Sequence, residues 1–147
     1  MKNKSILNIV LIVDTEQLKG LTPPIADMNQ YCSFLGQESD TDITDYTTVV
    51  ELNKTNGASV NIDTLIWNGL SSSNADHTIL FTDIRITEGS QIFINGSSQN
   101  RKKVKDRKSN FAAGKYTLEF QIDDGTNIYP GQNSFFTIDP ILVYHKK

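Results

Sequence analysis

Residues Lys115 to Val143 read KYTLEFQIDDGTNIYPGQNSFFTIDPILV. The stretch opens with strict alternation. Tyr116, Leu118, Phe120 and Ile122 fall on one side, and Thr117, Glu119, Gln121 and Asp123 on the other. A period of two is the signature of a half-buried strand, with the aromatic and aliphatic set facing a core. The chain then enters a turn crowded with oxygen-bearing residues: Asp123, Asp124, Gly125, Thr126, Asn127, Tyr129, Gln132 and Asn133. A second apolar strand, Phe135 to Val143, brings it back.

Strand signals recur upstream, while no stretch sustains a 3.6-residue period. Ile6 to Val13 is a continuous apolar run, suited to a central strand covered on both faces. Tyr46 to Leu52 is rich in Thr and Val. Val60 to Trp67 alternates through Val60, Ile62, Thr64 and Ile66, and Ile79 to Ile86 through Leu80, Thr82, Ile84 and Ile86. Gln91 to Ile94 makes a short further strand. One helical turn is expected at Pro23 to Tyr31, with Thr22 as its cap. About seven or eight short strands separated by turn clusters predict an all-β, single-domain antiparallel β-sandwich of jelly-roll type, spanning residues 1–147 with little helix.

A chain of 147 residues buries a sizeable core without disulfides or a structural metal. Its formal net charge of −3 is unevenly spread. The run Arg101 to Lys108 (RKKVKDRK) holds six of the fourteen Lys and Arg residues and one acid, so it carries +5 and leaves −8 elsewhere. That distribution argues against nucleic acid as a partner, and the run has no interleaved aromatics for base stacking. With Val104 as its only aliphatic residue, it is expected to be a mobile, solvated loop. The single cysteine, Cys32, allows no internal disulfide and fits a reducing, cytoplasmic setting. The start, MKNKSILNIVLIV, has the basic and apolar order of a short signal peptide. Asn8 inside the run and Asp14-Thr15-Glu16 after it favour a buried strand instead. No segment is long enough to cross a membrane as a helix.

No hydrolase elbow, P-loop, dinucleotide fingerprint or zinc-protease motif is present, so no enzymatic function is expected. His77 and His145 are far apart in sequence. His145 reads as a solvated end residue, and His77 as an exposed turn residue or, alternatively, a ligand contact. Asp40, Asp42 and Asp45 lack the Gly and terminal Glu of an EF-hand and read as a solvated loop. The cluster after Gln121 is richer. Asp123, Asp124, Asn127 and Asn133, with the carbonyl of Ile128, supply the mixture of oxygens that calcium takes. The plainer alternative is a long polar turn whose Asp and Asn side chains bond their own backbone. Trp67, the only tryptophan, is either core or a platform for a sugar ring.

Several segments taken together resemble the PixA/AidA inclusion-body protein family of bacteria: ILNIVLIVDTEQL, DMNQYCSF, SVNIDTLIWNGLS, and YTLEFQIDD followed by FFTIDPILV. Ile138 stands where the family often has an aromatic before Asp-Pro. The resemblance implies a compact β-sandwich made inside bacteria, sometimes abundant enough to form cytoplasmic inclusions, tied to quorum sensing or stationary phase, and without catalytic residues. It also implies a storage or self-assembling role as a homo-oligomer.

A second, local likeness concerns Asp124 to Asn133 (DGTNIYPGQN), which is similar to the calcium loop of small galactose-binding bacterial β-sandwich lectins. That likeness implies Asp124 as a carboxylate ligand, Ile128 as a carbonyl ligand, and Gln132 and Asn133 as an amide pair. The loop is one residue longer here before that pair. Its implied function is a calcium-dependent lectin for a galactose-type carbohydrate, with Tyr31, Trp67, His77 and Tyr129 shaping the sugar pocket.

Overall fold

In a computed structural model, residues 4–35, 47–51, 54–55, 58–59, 61–94, 100–105 and 111–145 are described. Two sheets pack face to face as an all-β sandwich. The first is built on β1 (Lys4–Val13) and β6 (Asn61–Ser71), with β2 (Cys32–Phe34) outside β1 and β8 (Arg101–Lys103) outside β6. The second is organised by β9 (Phe111–Asp123). One edge of β9 pairs with β7 (Thr78–Gly89) over nearly its whole length. Its other edge is shared by three short strands in succession: β12 (Ile141–His145), β11 (Phe136–Ile138) and β10 (Ile128–Tyr129). β3 (Thr47–Glu51) continues the sheet beyond β12. A small hairpin, β4 (Lys54–Thr55) with β5 (Ala58–Ser59), stands apart.

The alternation of β9 places its apolar side as expected: Tyr116, Leu118, Phe120 and Ile122 are fully buried. Facing them from the first sheet are Ile9, Leu11, Val13, Leu65 and Trp67. Trp67 forms edge-to-face contacts with Phe93 and Tyr116, with ring centroids 5.4 and 5.6 Å apart. Such pairs add to area burial about 0.5–1.5 kcal/mol each.

The sheets depart from the expected antiparallel scheme at two pairings. β1 runs parallel to β6, and β12 parallel to β3. The expected strand Phe135 to Val143 is broken at Asp139-Pro140 into β11 and β12. Proline has no N–H for the ladder, but its carbonyl still accepts from Tyr116 N at 2.9 Å. β1 is not sheathed on both faces. Ile9, Leu11 and Val13 are buried, whereas Ile6 on the other face is exposed. β7 does not keep one alternation, because a register shift at Phe81/Asp83 moves Ile79 and Ile84, five residues apart, onto the same buried side, and a second shift follows at Ile86/Glu88. Gln91 to Ile94 forms no strand; Phe93 makes an isolated bridge to Val104. The Pro23 to Tyr31 segment supplies only a 3₁₀ turn, Met28–Gln30. A four-residue helix, α1 (Thr15–Leu18), lies where none was expected.

The basic run is also different from its expected state. Arg101–Lys103 is strand β8, paired with Thr64 to Ile66 of β6. Lys102 stands opposite Leu65 and is only 4 % exposed. The remainder of the run beyond residue 105, and Asp40, Asp42 and Asp45, lie outside the described residues. Among the described residues no helix is long and apolar enough to cross a membrane.

Candidate functional site

Tyr31, His77 and the loop after β9 lie at one end of the sandwich, where β1 and β6 finish, β7 begins and β9 finishes, whereas Trp67 lies in the core. β1 turns into α1 there. Asp14 caps the helix, its side chain accepting from Gln17 N. Thr15 is fully buried beneath the turn. Its Oγ1 lies 2.6 Å from Ser71 Oγ and 2.7 Å from His77 Nδ1. Ser71 Oγ also accepts from the amides of Ser73 and Asn74 at 3.2 and 3.0 Å, which fastens the β6–β7 loop. His77, expected as an exposed turn residue, is 9 % exposed. Its Nε2 faces Glu16 Oε1 at 3.5 Å, and that oxygen accepts from Asn74 Nδ2 at 2.9 Å. The Asn74 amide, aided by Lys19 and His77, holds the Glu16 carboxyl below the usual range.

The loop after β9 reaches the same cluster. Asp123 Oδ1 accepts from Gly125 N at 2.8 Å. Asp124 Oδ1 accepts from Thr126 N and Asn127 N at 2.9 and 2.7 Å, while Asp124 N donates to Asn127 O at 3.1 Å. These are side chains closing their own turn. The second carboxylate oxygen, Asp124 Oδ2, lies 3.6 Å from Lys19 Nζ. The same ammonium is 3.6 Å from Glu16 Oε2 and 5.7 Å from the centre of the Tyr129 ring. The Asn127 and Thr126 amides, then Lys19 and the Tyr129 hydroxyl, bring the Asp124 carboxyl down to about 2. Gln121 Nε2 anchors the far end of the loop on the carbonyls of Gly131 and Ser134, at 3.1 and 3.0 Å.

His77, Asp124 and Tyr129 are therefore joined through Glu16 and Lys19. The joined groups satisfy one another. The Asp123 and Asp124 carboxylates bond the amides of residues 125–127 and Lys19, rather than the side chains of Gln132 and Asn133, which are exposed, as is Asn127. Ile128 belongs to β10, opposite Asp123. Among the described residues no three His, Cys, Asp or Glu side chains converge as a metal site. Two adjacent carboxylates repel and favour a cation nearby; Lys19 supplies one.

Tyr31 is at this end through its backbone, its carbonyl accepting from Asp14 N at 2.7 Å, while its ring packs on the core. Trp67 is a correction. It is 0 % exposed and donates its indole N–H to Tyr116, so it has no open face on which a sugar could stack. A separate shallow groove of about 410 Å³, lined by Ile79, Leu80, Phe81, Thr82, Asn100 and Gln121, contains none of the expected site residues. Thr15, Glu16 and Lys19 do not stand out in the sequence. The available signal is Asp14 followed three residues later by Gln17, the spacing of a helix cap.

No protein-family model matches this sequence, and no curated protein does. Among solved structures, the chain is similar to the crystal structure of the inclusion body protein PixA from Burkholderia cenocepacia J2315. The TM-score is 0.55 and the identity 11 %, over 99 % of this chain and 98 % of that one. From its first strand to its last, the chain has the fold of that inclusion body protein.

Proposed function

We propose that this protein is a non-enzymatic, self-assembling storage protein of the inclusion-body kind, acting inside a bacterial cell. The observation that carries the reading is the likeness of fold to an inclusion body protein over nearly the full length of both chains. The polar cluster at the end of the sandwich agrees with it, because its carboxylates, ammonium and imidazole are occupied with one another. The test is expression of the untagged chain in bacteria, followed by thin-section electron microscopy with antibody labelling. Labelled dense granules are the expected result. A chain that stays dispersed at every expression level overturns the reading.

The calcium-dependent, galactose-type lectin is the competing reading. The observation in its favour is the set of exposed amides, Asn127, Gln132 and Asn133, beside two carboxylates. Calcium would have to displace Lys19 from Asp124. A calcium-dependent rise in melting temperature, lost on exchange of Asp124 and Asn133 for Ala, would support it over self-assembly.

A further inference from the structure

Ser71, Thr15, His77 and Glu16 form one line of polar contacts at the end of the sandwich. A hydroxyl has one hydrogen and two lone pairs, and this orders the line. Ser71 Oγ gives both lone pairs to the amides of Ser73 and Asn74, at 3.2 and 3.0 Å. Its hydrogen is left for Thr15 Oγ1, 2.6 Å away. Thr15 Oγ1 accepts there, so its own hydrogen goes to His77 Nδ1 at 2.7 Å. Nδ1 is then an acceptor and bears no proton. The other end gives the same answer. Glu16 Oε1 accepts from the Asn74 side-chain amide at 2.9 Å and faces His77 Nε2 at 3.5 Å. That amide is foremost in holding the Glu16 carboxyl below the usual range. An ionised carboxylate only accepts, so Nε2 carries the hydrogen.

We infer that this line of donors runs one way, Ser71 to Thr15 to His77 to Glu16, and that it makes His77 a proton-sensitive clasp on the β6–β7 loop. Uptake of a second proton, at Nδ1, reverses the bond between His77 and Thr15. Thr15 Oγ1 must then accept from the ring, and its own hydrogen needs a new partner. Thr15 is 0 % exposed, so water does not supply one, and a stranded buried donor is costly. The hydroxyl therefore turns to Ser71 Oγ and displaces the amide of Ser73 or Asn74. Ser73 is exposed, and Asn74 and Ser71 are half-buried, so water meets the groups released there. The charge on the ring has its partner in both states, because Glu16 on α1 faces Nε2 throughout. Behind that carboxylate lie Lys19, 3.6 Å from Oε2, and then Asp124 of the loop after β9. Asp14 after β1 accepts from the Ser73 hydroxyl, Asp76 precedes His77, and Asp123 on β9 stands opposite Thr78. What changes on protonation is the line of hydroxyls.

The test is nitrogen NMR of isotope-labelled imidazole, with a pH titration of the ring and of the loop amides. The chain has two histidines, and His145→Gln leaves the ring of His77 alone. Near neutral pH, Nε2 should be the protonated nitrogen and Nδ1 the bare one. As the ring takes up its second proton, the amide signals of Ser73 and Asn74 should shift with the same midpoint. At least one of the two amides should then exchange faster with solvent. Thr15→Ser keeps the hydroxyl and should keep this coupling. Thr15→Val removes the hydroxyl and should leave the amides still while the ring titrates. Should Thr15→Val fail to fold, the tautomer and the shared midpoint decide with threonine in place. A bare Nε2, amides that ignore the ring, or coupling that survives in Thr15→Val overturns the inference. So does a ring that takes no second proton before the protein unfolds. The Ser73 hydroxyl and the Asn74 amide hold the carboxyls of Asp14 and Glu16 below the usual range. A shift of the amides that follows those carboxyls instead of the ring overturns it as well.

Discussion

The indole N–H of Trp67 on β6 donates to the hydroxyl of Tyr116 on β9 at 3.2 Å, a single hydrogen bond spanning the two sheets inside the core. Both side chains are fully buried, so water cannot replace either partner. Tyr116→Phe keeps the ring and its contacts with Trp67 and Phe93 but strands the indole N–H. An unsatisfied buried donor costs about 1–3 kcal/mol. For a domain of this size each kcal/mol moves the melting temperature by about 2–4 °C. A thermal melt of Tyr116→Phe should fall by several degrees; one unchanged within a degree would mean that the bond is not formed.

Gly69 is a second point where the sheets meet closely. A Cβ built there would lie 2.4 Å from Ile79 Cβ. Gly69→Ala should therefore cost at least the 1–3 kcal/mol that is roughly typical of overpacking. Ile79 Cγ1 and Cγ2 would lie 2.7 and 2.8 Å away, so trimming Ile79 to Ala removes two of the three close contacts and leaves the one to Cβ. Denaturant unfolding should therefore find the double variant less stable than Ile79→Ala alone. A double variant as stable as Ile79→Ala would mean that β6 and β7 separate readily and that the approach is not a fixed feature of the sandwich.

Asp124 makes acid stability measurable. Its carboxyl lies at about 2 in the folded protein against an ordinary 3.8, chiefly through the Asn127 and Thr126 amides. A carboxyl depressed by folding contributes stability above its unfolded value and loses it as pH falls through the folded one. The melting-temperature gap between wild type and Asp124→Asn should therefore be full at pH 6 and close between 3.8 and about 2. Since backbone amides rank ahead of Lys19 among the causes, high salt should leave most of the gap in place. A gap that collapses in salt would assign the effect to the ion pair instead.

What the sequence discloses and what it hides follow from where each signal is stored. The inward side of β9 is legible because Tyr116, Leu118, Phe120 and Ile122 alternate over a long strand. The break at Asp139-Pro140 is visible as a residue pair but not as a strand boundary, since Pro tolerates an edge as readily as a turn. The bulges of β7 have no local mark and exist only against β9. The end cluster is half legible. His77, Asp124 and Tyr129 stand out in the sequence, but the side chains that join them sit on and just after a four-residue helix, too short to show a period. Trp67 stays open between core and surface because sequence does not say which side of a strand end is covered; 0 % exposure decides it.

Lys102 is the residue that the sequence places least well, and it yields the last prediction. The motif Arg101-Lys102-Lys103 looks like solvated charge, yet pairing with β6 turns its middle member inward opposite Leu65, to 4 % exposure. Burial lowers the Lys102 pKa, and the opposing attraction of Asp83 only partly offsets this. For a lysine whose folded pKa lies below its unfolded value, the unfolded chain binds more protons between the two. Stability therefore rises with pH across that window, which ends at the ordinary 10.5. Lys102→Met preserves much of the aliphatic stem and removes the titration. Subtracting its unfolding free energy from that of the wild type cancels every other titrating group. The difference should move in favour of the wild type as pH is raised from neutrality towards 10.5, where the protein still folds. A flat difference would mean that Lys102 keeps its ordinary affinity for the proton and reaches solvent, returning the basic run to the exposed loop that its composition suggests.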